Sequence, residues 1–146
     1  MAKSKDQLLF EKNKNLYRLL DANLNRASEG LRVIEDSLRF IYNNKDLFST
    51  FRTIRHKINK LSSKAYPKLI LSRDSQRDSG REIQEKSKRE SLGILLAANF
   101  KRVEQALRVL EEYSKLIAPD SAVEFKKARY SVYNLEKMFA CKVCKI

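Results

Sequence analysis

Leu20, Leu24, Ala27, Leu31, Ile34, Leu38 and Ile41 follow one another at spacings of 4-3-4-3-4-3, with polar and charged residues filling most of the gaps. That spacing puts one apolar stripe on a long amphipathic helix. Seventy-six positions later, Leu96, Phe100, Val103, Leu107, Leu110, Ser114 and Ile117 repeat it, broken only at Ser114. The polar positions repeat as well: ANLNRASEGLRVIED at 22–36 is echoed by ANFKRVEQALRVLEE at 98–112. Phe51, Arg55 and Leu61 correspond in the same way to Phe125, Arg129 and Leu135, so the repeating unit is a helical hairpin.

Helix ends carry their own marks. Ser87 to Glu90 and Ser121 to Glu124 read as capping boxes, Asp46 as a cap for a helix starting near Leu47, and Pro67 as a helix stop. The expected helices are A from about 5 to 43, B from 47 to 65, C from 88 to 117 and D from 121 to 140. Two hairpins can bury their stripes only against each other. The expectation is an all-α single domain over 1–146: a four-helix bundle of repeat 1 (about 16–65), a polar connecting loop (66–87) and repeat 2 (about 88–140). Only 3 Gly and 2 Pro occur, too few for the many turns of a β-rich fold.

The charge narrows the partners. Thirty-one Lys and Arg against 18 Asp and Glu give +13, which favours nucleic acid, acidic lipid or phosphorylated metabolites. Acidic residues interleaved on helices A and C argue against a continuous positive stripe, so a basic helical nucleic-acid-binding module is kept as an alternative only. The start MAKSKDQLLFEKNKN has no apolar signal region and the longest apolar run, Ile94 to Ala98, is too short for a bilayer. No membrane association and a cytoplasmic location are expected. The seam on such long helices can continue into a subunit interface, so a homo-oligomer is expected too. Cys141 and Cys144 supply two zinc ligands where a closed site needs four, and His56 is the only histidine. The pair reads as a tail with two incidental thiols, an intersubunit or redox role being the alternative.

Polar residues lie along the stripe edges. Asn23 and Arg26 share one flank of helix A with Gly30, Val33 and Ser37, while Glu35 lies on the other; Asn99, Arg102, Ala106, Val109 and Glu111 take the same places on helix C. Two readings stay open for the Asn–Arg pairs. They fix register and pair with Glu35 and Glu111, or two Arg and two Asn converge on an anion. Arg32, Arg108 and Arg39 point outward with Glu29, Glu35 or Asp36 at helical spacing. No glycine-rich phosphate loop, dinucleotide fingerprint or nucleophile triad occurs.

The strings LDANLNRASEGLRVIEDSLRF, RHKINKL, SRDSQRDSGRE and RESLGILLAANFKRVEQALRVLEEYSKL, in that order over roughly 16–133, resemble the monofunctional hydroxymethylpyrimidine phosphate kinases of thiamine biosynthesis. That family occurs alone or fused to the N-terminus of thiamine-phosphate synthase, and a chain ending after helix D would be the standalone form. The family connection reads R-D-x-x-x-D-V-G, where this chain has Arg73-Asp74 and then Asp78-Ser79-Gly80.

The resemblance implies transfer from ATP to 4-amino-5-hydroxymethyl-2-methylpyrimidine phosphate, giving the diphosphate and ADP, with Mg²⁺. The acceptor is an ionised phosphate oxygen, so no general base is needed. Catalysis is then positioning and charge neutralisation. On that reading Arg26, Arg102 and Arg73 bind phosphate, and Asn23 and Asn99 hydrogen-bond substrate. Arg55 and Arg129 are secondary triphosphate candidates, with Arg32 and Arg108 as further binding residues. Gly80 admits the phosphates to the backbone. Asp78, then Asp74, or else Glu35 and Glu111, hold the metal. A non-catalytic regulatory domain of thiamine-phosphate synthase is a further alternative.

Overall fold

The computed structural model describes residues 1–85 and 88–143. Among them there is no strand, and the fold is all-α. Helix α1 spans Lys5–Asp36 and opens on a capping box. The Ser4 hydroxyl accepts from the Gln7 amide at 3.2 Å, and the Gln7 side chain accepts from the Ser4 amide at 2.9 Å. It runs on through a π-helical turn, Ser37–Ile41, and stops where Asn43 takes a left-handed φ of 50°. Asn tolerates that conformation better than most residues.

Helix α2 is Lys45–Leu61. Its cap is Asn44, whose side chain accepts from the Leu47 amide at 3.1 Å. Asp46, the expected cap, lies inside the first turn, where its charge meets the positive helix end. Pro67 is also a correction. After a 3₁₀ turn at Ser63–Ala65 the chain starts a further helix, α3, Tyr66–Ser72, with Pro67 in its first turn. First-turn amides have no intrahelical acceptor, so proline opens a helix there instead of closing one.

Helix α4 is Leu92–Ser114, capped by Ser91, whose hydroxyl accepts from the Ile94 amide at 3.2 Å. It begins four residues later than expected, and Ser87 of the supposed capping box lies outside the described residues. Helix α5, Pro119–Lys142, begins two residues before Ser121 with proline again in the first turn. Ser121 therefore does not cap, and Glu124 binds Lys127 at 2.9 Å instead. Cys141 is exposed at the end of α5; Cys144 lies outside the described residues. No described helix is long and apolar enough to cross a membrane.

Contacts close a ring: α1 packs on α2 and α4, and α5 packs on α4 and α2, while α3 lies against α1. The stripes supply the core. Phe100 at its centre meets Phe51 and Phe139 with ring centroids 5.7 and 5.6 Å apart. The seam break at Ser114 is buried and lines a small cavity with Leu69 of α3 and Phe125 of α5. At the α1–α4 contact, Gly30 faces Asn99 and Val103. Arg26 shares a groove with Val109, and Asn15 one with Tyr113, so the two helices run antiparallel. Their meeting face carries the residues that matter next.

Candidate functional site

An open groove follows the α1–α4 seam. One half, about 650 Å³, is walled by Arg18, Asn23 and Arg26 of α1, Val109 and Tyr113 of α4, and Asp78 of the connection. The adjoining half, about 500 Å³, shares Asn23, Arg26 and Val109 and adds Lys101, Arg102 and Gln105. Arg26 and Arg102 are thus brought together, as their equivalent places in the repeat require when the helices are antiparallel. Asn23 is buried beneath them. Its Nδ2 donates to the Leu19 carbonyl at 2.9 Å and its Oδ1 accepts from Arg26 at 3.4 Å. Asn99 makes the same bond to the Leu95 carbonyl at 2.9 Å, but lines neither half.

The connection is fastened to α1. Arg73 donates to both oxygens of the Asp21 carboxylate at 2.8 and 2.9 Å, and that hydrogen bonding raises its pKa. Arg18 donates to the Asp74 carbonyl at 3.0 Å and lies 4.0 Å from Asp78 Oδ2. The Asp74 carboxylate accepts from the Arg77 amide at 3.2 Å, and Asp78 Oδ1 accepts from the Gly80 amide at 2.8 Å. Gly80 itself sits exposed in that turn.

The other expected residues stand apart from the groove. Glu35 is fully buried and held by Arg55 at 2.5 and 3.1 Å. Glu111 is held by Arg129 at 2.8 and 3.2 Å and by Arg108 at 3.3 Å. Burial pushes the Glu111 carboxyl up, but the hydrogen bonds and charges of Arg129 and Arg108 overcome it and hold it below the usual range. Arg32 pairs with Asp36 at 3.5 Å, and Arg108 also with Glu112 at 3.0 Å. Arg55, Arg129, Glu35 and Glu111 therefore neutralise one another and brace the hairpins. Among the described residues no group of three or more acidic, His or Cys side chains is arranged to hold a metal. Mg²⁺ needs only one or two carboxylates when phosphate oxygens complete its shell. Asp78, a lining residue of the groove, has the chemistry for that.

Residues 18–138 match the model of the ThiD2 family. The chain belongs to the ThiD2 family. Among curated proteins it is 47% identical over 123 residues to the thiamine-phosphate synthase of Nostoc punctiforme, covering 83% of this chain and 34% of that protein. The thiamine-phosphate synthase of Prochlorococcus marinus is 35% identical over 148 residues (92% of this chain, 42% of that protein). That of Rhodopirellula baltica is 39% identical over 125 residues, 83% of this chain and 33% of that protein. This ThiD2-family chain thus spans about a third of the length of most of the curated relatives it matches. No solved structure matches it.

Arg18, Asp21, Lys101 and Tyr113, at the groove or its latch, are among the residues that escaped the sequence reading. Their signal lies in the repeat's failures. Their counterparts 76 positions away are Ile94, Ala97, Asn25 and Ser37, so each marks a place where only one copy carries the chemical group.

Proposed function

We propose that this chain is a phosphotransferase of thiamine biosynthesis. It moves the terminal phosphoryl group of ATP to the phosphate of 4-amino-5-hydroxymethyl-2-methylpyrimidine phosphate, releasing the diphosphate and ADP. The observation that carries this reading is Arg26 and Arg102 lining one groove with Asp78 at its edge. Guanidinium forks suit phosphate oxygens, and two of them offset the repulsion between two polyanions brought within bonding distance. Asn23 aims Arg26, and the pinned connection holds Asp78 at the groove, where its Oδ2, only 4.0 Å from Arg18 and not hydrogen-bonded to it, is the oxygen a phosphate-bound Mg²⁺ would use. A groove without His or Cys suits an acceptor whose attacking oxygen is already ionised. Because an Arg must engage the existing phosphate, the unphosphorylated alcohol is expected to be a poor substrate.

A second reading has a specific support. The curated relatives are named for another reaction and are about three times as long as the matched region. On it the chain binds the pyrimidine phosphate without turnover. ADP release by the purified chain with ATP, Mg²⁺ and the monophosphate separates the two. The kinase reading expects turnover, and a loss of about 100-fold or more in Arg102→Ala with helical circular dichroism unchanged. No ADP from the parent chain, or near-normal turnover in Arg102→Ala, overturns it.

A further inference from the structure

Behind the groove, between α4 and α5, lies a buried acid. Glu104 is 4% exposed, and its Oε1 has no hydrogen-bond partner among the described residues. Its Oε2 is 2.9 Å from Lys101 Nζ, which is also 3.6 Å from Glu136 Oε2. The first repeat has Ser28 and Asn25 in place of Glu104 and Lys101, so the cluster belongs to one half of the molecule. Two carboxylates in such a place leave one lysine outmatched, and an unpaired buried carboxylate is costly. Burial, then the neighbouring Glu136 carboxyl, push the Glu104 carboxyl up to about 7 against the opposing pull of Lys101. The charges acting on it are Glu136 of α5 and Lys101 of its own helix; α1, the other helix packed on α4, adds none among the described residues.

Lys101 faces both ways. Its side chain is 61% exposed and lines the groove beside Arg26 and Arg102. We infer that Lys101 is a third phosphate-binding residue of the groove, and that a proton held by the Glu104–Glu136 pair frees it for that role. With both carboxyls ionised the trio carries one net negative charge, and Lys101 is held back. With one proton added the trio is neutral, and the ammonium can turn to a groove anion at little cost. Glu104 is then a positioning residue acting through Lys101. The inference rests on the proposed function only in taking phosphate as the ligand class.

Inorganic sulfate is the probe, because it keeps both charges throughout the range, so any pH dependence belongs to the protein. His56 is exposed on α2 and lines neither half of the groove. Calorimetry of the whole chain is expected to show sulfate binding up to roughly tenfold tighter at about pH 6 than at about pH 8, following the fraction of protonated Glu104. Binding near pH 7, measured in buffers of different ionisation enthalpy, should take up protons. Glu104→Gln should bind at the tighter level at both pH values, and Lys101→Met weakly at both. A wild-type affinity that is flat with pH, or a Lys101→Met chain binding like wild type at about pH 6, overturns the inference. Should Glu104→Gln not fold, the wild-type pH series with its proton count decides alone. A chain that releases no ADP yet binds sulfate with this pH linkage loses the kinase reading only; a working kinase with flat sulfate affinity loses only this inference.

Discussion

Gly30 decides how closely α1 and α4 approach, and so whether the Arg26 and Arg102 side chains can share a groove. A Cβ there would stand 2.7 Å from Val103 Cγ2 and 3.3 Å from the Asn99 carbonyl oxygen. The backbone oxygen is fixed by its own helix, and a valine in a helix has essentially one χ1 rotamer, so neither neighbour yields cheaply. Alanine in place of glycine gains about 1 kcal/mol in helix propensity, while overpacking costs about 1–3 kcal/mol. Gly30→Ala is therefore expected to destabilise the fold by about 1 kcal/mol in urea denaturation. Its penalty should shrink or reverse in a Val103→Ala background, where the offending methyl is gone. A Gly30→Ala penalty unchanged by Val103→Ala would place the strain elsewhere. The second repeat carries Ala106 at the equivalent place, so only one side of the crossing needs the missing side chain.

The helices were legible because a 4-3 spacing of apolar residues admits no other regular structure, and Phe100, Leu31 and Leu107 lie in the core as that spacing requires. Their ends were less so, since Pro67 and Pro119 serve equally as a stop or a first-turn residue, and only packing chooses. The charged pairs joining the helices were legible only in part: Glu35 and Glu111 could be read as partners of Arg26 and Arg102, but not of Arg55 and Arg129. Glu35 and Glu111 read as metal ligands and Arg55 and Arg129 as triphosphate ligands. The rotation of each hairpin instead turns them onto one another, fastening α1 to α2 and α4 to α5. The two fasteners differ in one respect: Glu111 keeps Arg108 at 3.3 Å, whereas among the described residues Glu35 is ion-paired with Arg55 alone. Removing one partner of a buried pair costs about 3–5 kcal/mol, because the remaining charge stays buried. Arg55→Ala should therefore reach that range in denaturant titration, and Arg129→Ala should cost clearly less. Equal losses would mean that Arg108, half exposed, does not substitute for Arg129.

At the scale of the whole molecule the repeat makes two equivalent halves, and the function proposed for it needs two different ones, a donor side and an acceptor side. The doubled Arg positions were readable as candidate anion ligands because both copies carry them, and Arg26 and Arg102 do line one groove, whereas of the doubled Asn only Asn23 does. What makes the halves differ was readable only as mismatch, Arg18 against Ile94 and Asp21 against Ala97, and it took the fold to show what those residues hold. Asp21 and Arg18 bind the connection over one half of the groove and bring Asp78 to it. The Arg73 side chain is 41% exposed, so its bond to Asp21 contributes little to global stability and acts locally, as a latch. Asp21→Ala should leave thermal unfolding nearly unchanged, within about 1 kcal/mol, yet open the connection to limited proteolysis between Arg73 and Ser91. Turnover should fall with it, since Asp78 would no longer be held at the groove, and the Mg²⁺ concentration for half-maximal rate should rise. Arg73→Ala should reproduce each effect, and the double variant should add little to either single one, because both break the same bond. Additive effects, or cleavage and Mg²⁺ dependence indistinguishable from the parent chain, would mean that the connection is held by something other than Asp21.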